Sequence, residues 1–101
     1  MNEKIDYDRL AKFTKTLGNP LRLKIMYLLE NKAHYVYEIA EELKVEAHII
    51  SEQLRILRLL DIVGFKKIKR KALYELKHPE IQKLLSELHT IITRSDTKPN
   101  I

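Results

Sequence analysis

Two short amphipathic stretches joined by only two residues constrain this chain more than anything else in it. Residues 35–44 place Val36, Ile39, Ala40 and Leu43 on one helical side and Glu38, Glu41 and Glu42 on the other. Val45-Glu46 follows as a tight joint. From about Ala47 to Leu60 a second stretch repeats Ile50, Leu54 and Leu57 at the i, i+4, i+7 spacing of a single helical face. Two short helices meeting at such a joint, the second with polar groups outward, form a helix-turn-helix arrangement.

The flanking sequence predicts what surrounds this pair. Tyr7, Leu10, Phe13, Thr14 and Leu17 recur on one face and predict a first helix over 7–17. Gly18-Asn19-Pro20 ends it, and Pro20 opens the next helix at its first turn, where a missing N–H costs nothing. Leu21, Ile25, Leu28 and Leu29 form that second helix's apolar face, and Asn31-Lys32-Ala33-His34 reads as a polar turn. After Asp61 the period changes. The segments 62–68 and 72–76 suit two strands of a hairpin, with Lys69-Arg70-Lys71 at a tip that has no Gly or Asn to favour a tight primed turn. His78-Pro79-Glu80 opens a fifth helix carrying the stripe Ile81, Leu84, Leu85, Leu88, Ile91, Ile92. The expected fold is mainly α with a β-hairpin wing, a winged helix-turn-helix of five helices and two strands. Residues 1–94 are expected to form one DNA-binding and dimerisation domain, and 95–101 a flexible C-terminal tail with nothing to pack against.

Charge and composition narrow the functional classes. The 101 residues include 19 Lys and Arg against 14 Asp and Glu, a formal net charge of +5. Residues 1–61 carry ten basic and ten acidic side chains, so the entire excess lies in 62–101, and five of its nine cations fall between Lys66 and Lys71. A basic block beside a helix pair of this kind is a candidate for phosphate contact. There is no cysteine, which removes disulfides, thiolate metal sites and thiol switches together. No signal-like apolar run opens the chain and no stretch approaches the roughly 18 apolar residues of a membrane span, so a soluble cytoplasmic protein is expected.

Three ordered stretches carry a family resemblance covering roughly Leu10 to Leu88. They are Leu17-Gly18-Asn19-Pro20-Leu21-Arg22-Leu23-Lys24-Ile25, then Glu38 to Val45, then Ile50-Ser51-Glu52-Gln53-Leu54-Arg55-Ile56-Leu57-Arg58 with Leu60-Asp61-Ile62-Val63 behind it. In this order and spacing they resemble the ArsR/SmtB superfamily of small, dimeric, metal-sensing winged-helix repressors. The resemblance implies a DNA-binding transcriptional repressor. It also exposes departures. Glu46, a poor helix cap, stands where the family usually has serine, Ile49 replaces a polar groove-facing residue, and Lys69 takes the place of a wing-tip glycine. Tyr35-Val36-Tyr37 occupies the position of the cysteine-x-cysteine metal motif. At the positions of the family's other metal site stand His78 and Glu80 early in the last helix and Ile91 and Arg94 late, half a ligand set opposed by an arginine. No metal and no cofactor is expected.

The major groove admits one helix, so the outward side of the 47–60 helix supplies the candidate base contacts: Ala47, His48, Ile49, Ser51, Glu52 and Gln53. His48 and Ser51 can donate to bases, Glu52 can accept from cytosine N4, Gln53 suits adenine, and Ala47 and Ile49 can touch thymine methyls. Arg55, Arg58, Lys67, Lys69, Arg70 and Lys71 are candidate phosphate or wing contacts, with Arg58 alternatively paired to Asp61 at i+3. For the interface of a homodimer the candidates are Tyr7, Leu10, Phe13, Leu85, Leu88, Ile91 and Ile92, because a 101-residue core cannot cover the whole fifth-helix stripe. The expected partners are double-stranded DNA and a second copy of the chain, with no membrane.

A catalytic search is nearly empty. The chain has two glycines, no phosphate-cradling loop and no His-Glu-x-x-His motif, and His34, His48, His78 and His89 are scattered over separate elements. The alternative function is a protein–protein interaction module on the same fold with the DNA face unused, a reading to which Glu46, Ile49 and Glu52 lend themselves. An RNA target fits less well, because a groove-reading helix suits B-form DNA better than deep A-form grooves.

Overall fold

The computed structural model describes residues 4–95. Helix α1 (Tyr7–Leu17) is capped by Asp6, whose carboxylate accepts from the Arg9 N–H at 3.1 Å. Asn19 caps α2 (Pro20–Asn31) in the same way through the Arg22 N–H at 3.0 Å, with Pro20 at its first turn. A two-residue strand β1 (His34–Tyr35) leads into α3 (Val36–Leu43). Then come α4 (Ala47–Leu59), the hairpin β2 (Val63–Ile68) and β3 (Lys71–Leu76), and α5 (Pro79–Ser95). Of the expected tail, only Ser95 falls within the described residues, as the end of α5.

The sheet has three strands in the order β1-β3-β2, all antiparallel, rather than the two expected. His34 and Tyr35, expected in a turn and at a helix start, instead pair with Tyr74 and Leu73. Tertiary pairing decided this: β3 would otherwise present an open edge, and two extended residues satisfy it. His34 is buried, and its Nδ1 donates to the Lys32 carbonyl at 2.7 Å. The Tyr35 N–H donates to Glu38 Oε1 at 2.8 Å, which closes the first turn of α3.

Left-handed residues stop two helices where no glycine stands. Lys44 (φ 57°) ends α3, and the Val45 N–H reaches back to the Ala40 carbonyl at 3.1 Å. Asp61 (φ 64°) ends α4, with Ile62 N–H on the Leu57 carbonyl and Asp61 N–H on that of Arg58, both at 2.9 Å. That paired return is the Schellman termination, here with aspartate where glycine is usual.

One core joins the elements. Ile25, Met26 and Leu29 of α2, Ile39 of α3, Ile50, Leu54 and Leu57 of α4, Ile62 and Val63, and Ile81 and Leu85 of α5 form a single buried cluster. Complete burial of such a side chain contributes about 1.5–3 kcal/mol. Tyr27 fastens α5 to α2 by donating its hydroxyl to the Leu85 carbonyl at 2.7 Å. Burial raises the pKa of that phenol, with the Glu30 charge adding to it. Leu85 is therefore a correction to the expected dimer face, since it is wholly buried inside its own protomer. The α5 stripe divides along its length. Ile81 and Leu85 turn into the core, Leu88 is half-buried, and Ile91 and Ile92 lie exposed beyond it.

Candidate nucleic-acid interface

With Ile50, Leu54 and Leu57 anchored in the core, α4 turns its opposite side to solvent. Ala47, His48, Ser51, Glu52, Arg55 and Arg58 are exposed there, and Ile49 is half-buried against the rest of the head. His48 Nδ1 lies 3.5 Å from Glu46 Oε1, but both side chains are about three-quarters exposed, a setting in which an ion pair contributes little and leaves the imidazole able to reorient. Leu59, 74% exposed, extends the same outward stripe beyond Arg55, and the sequence pattern alone did not mark it.

Two of the expected contacts are placed otherwise. Gln53 turns toward α2, where its Oε1 accepts from Arg22 Nε at 2.8 Å, so its amide oxygen is engaged within the chain. Arg58 is not paired with Asp61. Its guanidinium lies 4.9 Å from the centre of the Phe65 ring, which in turn packs on Tyr74 at 5.3 Å. This cation–π stack ties the end of α4 to the hairpin, at a strength of about 0.5–1 kcal/mol where exposed. The Asp61 carboxylate instead receives Lys77 Nζ at 2.7 Å and His78 Nε2 at 2.8 Å. These hydrogen bonds, Lys77 first and His78 second, lower its pKa below the ordinary aspartate value. They link the exit of α4 to the start of α5.

The hairpin is held at its base and charged at its tip. Ile68 pairs with Lys71, leaving Lys69 (φ 49°) and Arg70 (φ 75°) as the two central residues of the turn. Left-handed conformation at both positions is the type I′ geometry that matches the twist of paired strands. The basic triplet is thus not all tip, because Lys71 belongs to β3. The primed turn forms without glycine or asparagine, at about 1–2 kcal/mol per left-handed residue. Lys67, Lys69, Arg70 and Arg55 are exposed, and no ion pair holds them among the described residues. Lys71 is placed differently: its Nζ sits 5.0 Å over the Tyr37 ring, which stacks on Tyr35 at 5.8 Å and 11°.

The structure therefore brings together, on one protomer, an exposed helix face and an unpaired cationic hairpin tip, joined by the Arg58–Phe65 stack. Sequence reasoning missed Tyr37 and Arg22. Nothing local signalled Arg22, whose partner lies 31 residues away.

The chain is similar to known proteins over most of its length. Residues 19–64 match the model of the bacterial regulatory protein, arsR family. The transcriptional repressor SmtB homolog of Synechocystis is 31% identical over 88 residues, covering 87% of this chain and 67% of that protein. The chain belongs to the arsR family. The crystal structure of Mycobacterium tuberculosis Rv0081 superposes with a TM-score of 0.87 at 27% identity, covering 94% of this chain and 96% of that one. A solution structure of the homodimeric winged helix-turn-helix DNA-binding domain Mb0332 from Mycobacterium bovis shares the fold, with a TM-score of 0.80 at 21% identity and 99% and 96% coverage. This arsR-family protein is a DNA-binding transcriptional regulator and not an enzyme. Among the described residues no helix is long and apolar enough to cross a membrane, and no group of three or more His, Cys, Asp or Glu side chains is placed to hold a metal ion.

Proposed function

We propose that the protein is a homodimeric repressor that occupies a palindromic operator in the cytoplasm, with α4 in the major groove and the hairpin tip on the flanking backbone. The observation that carries this reading is the exposed face of α4 fixed beside the cations of Lys67, Lys69 and Arg70. Ala47, His48, Ile49, Ser51 and Glu52 are the proposed base readers. Arg55, Lys67, Lys69 and Arg70 engage phosphates, while Arg58 and Lys71 orient the hairpin through their rings.

Support for the dimer comes from the α1/α5 layer. Tyr7 is 69% exposed and Leu10 49% on α1, Ile92 is 62% exposed on α5, and a groove of about 490 Å3 between the end of α1 and α5 is lined by Leu17, Leu23, Tyr27, Leu88 and Ile92. An apolar surface of this kind calls for a covering partner, and the similar domain Mb0332 is a homodimer. Phe13 and Leu88, both half-buried, complete the proposed interface with Ile91. Two-fold symmetry then presents two reading helices to half-sites about one helical turn, or a multiple of it, apart. A compact dimer over a promoter blocks polymerase by occupancy. We propose no metal in this mechanism, since His78 is engaged by Asp61, and Ile91 and Arg94 offer no ligand at the late positions.

Selection of tight binders from a random duplex pool tests the reading. A palindrome with half-sites spaced by whole turns is the expected product, and its affinity should fall steeply with salt. A second reading, a protein-binding module, draws on Leu59 and Glu52 exposed on the same face. Absence of measurable association with any duplex at low ionic strength would put it first.

A further inference from the structure

We propose that Arg22 is a positioning residue for DNA recognition, which bolts the recognition helix to the end of α1 and thereby sets the roll of its reading face. This deepens the operator-binding reading and rests on it. Three bonds meet at this one residue. Its backbone N–H is taken by Asn19 Oδ1 at 3.0 Å, which fixes the first turn of α2. Its side chain then forks. Nη1 donates to the Thr16 carbonyl at 3.1 Å, and Nε donates to Gln53 Oε1 at 2.8 Å.

Each arm has a physical reason. The last carbonyls of a helix lack intrahelical partners and carry the negative end of its dipole, so a guanidinium at Thr16 satisfies α1 and is favoured there electrostatically. The other arm acts on α4. Its core contacts, Ile50, Leu54 and Leu57, form a single apolar stripe. Apolar packing is non-directional and tolerates a small rotation of the helix about its axis. Gln53 lies on the flank of that stripe, beside Leu54, where a directional bond resists rotation. His48, Ser51 and Glu52 turn with the helix, and groove readout tolerates little displacement of donors and acceptors. Arg22 is half-buried, so water competes poorly for the same groups. The connection runs from α1, which belongs to the proposed dimer layer, through one side chain to the reading face.

Full-length variants titrated against the selected palindrome and a scrambled duplex test this, with the ratio of the two affinities as the readout. Arg22→Met keeps the aliphatic stem and removes both arms. It should lower the selectivity ratio about tenfold while leaving scrambled-duplex affinity and the oligomeric state in place. Gln53→Leu should lower it as well, and the double variant should be no worse than Arg22→Met alone, because the bond that Gln53→Leu breaks is one that Arg22→Met has already removed. Gln53→Glu accepts from Arg22 with charge assistance, so it should retain the ratio even as its added charge weakens both complexes. Undiminished selectivity in Gln53→Leu, or additive effects in the double variant, would overturn the role of Arg22 while leaving operator binding intact. A wild-type protein that does not discriminate the two duplexes would overturn both. Should Arg22→Met melt below the assay temperature, the Leu and Glu variants at position 53 decide the matter alone.

Discussion

The reading head and the α1/α5 layer use the same amphipathic periodicity to opposite ends. In the head, the stripe on α4 is consumed within the protomer, and Ile50, Leu54 and Leu57 are wholly buried. In the layer, the stripe on α5 is consumed only as far as Leu85, Ile91 and Ile92 stay exposed, and on α1 so do Tyr7 and Leu10. The head buries its stripe within one chain; the layer leaves part of its stripe exposed. A periodic apolar stripe therefore says that a surface will be covered without saying by what.

Leu54→Ala should destabilise the protein by about 2–5 kcal/mol, the cost of emptying a filled core site, seen as a lower midpoint in urea unfolding. Ile92→Asp should act on association instead. The expected result is a folded monomer by sedimentation, with operator affinity reduced roughly a hundredfold or more as the two half-sites cease to be bound together. A dimer that persists at full affinity would move the interface elsewhere.

In the hairpin, stability and DNA binding are expected to oppose each other. Replacing Lys69-Arg70 by Asn-Gly supplies the residues that a type I′ turn prefers, and should raise stability by about 1 kcal/mol. The same change should weaken binding to every duplex and flatten the dependence of log affinity on log salt by roughly 0.9 for each phosphate that is no longer neutralised. An unaltered slope would remove the tip from the DNA.

The smallest effect is expected at Asp61, which joins the head to α5. Its folded pKa is lowered, so its contribution to stability is complete above the unfolded carboxylate value of about 4 and is lost as pH falls through the folded value. Asn tolerates the left-handed backbone at this position, so Asp61→Asn isolates the charge. Unfolding midpoints measured at about pH 6 and about pH 3 should differ less in this variant than in the wild type.

Much of the molecule is legible in the order of its residues. The five helices, the hairpin and the buried trio of α4 follow from period and from local stop signals such as Asn19-Pro20. Strand β1 is not legible, because two residues carry no period and form a strand only when β3 lies beside them. The primed turn at Lys69-Arg70 runs against local preference, and the pairing of β2 with β3 overrides it. For Gln53 and Arg58, helix phase places each side chain on a side of α4 but says nothing about Arg22 or Phe65 waiting there.

Hydrophobic spacing, helix-ending residues and the placement of charge are properties of neighbours along the chain, and by themselves they determined the order of the five helices and the hairpin, the fold class and the cationic character of that hairpin. Only the tertiary structure decided which polar groups are already engaged, which stripe closes within one protomer and which residues extend the sheet. Those outcomes depend on directional bonds and contacts between residues far apart in sequence, and no local pattern encodes them.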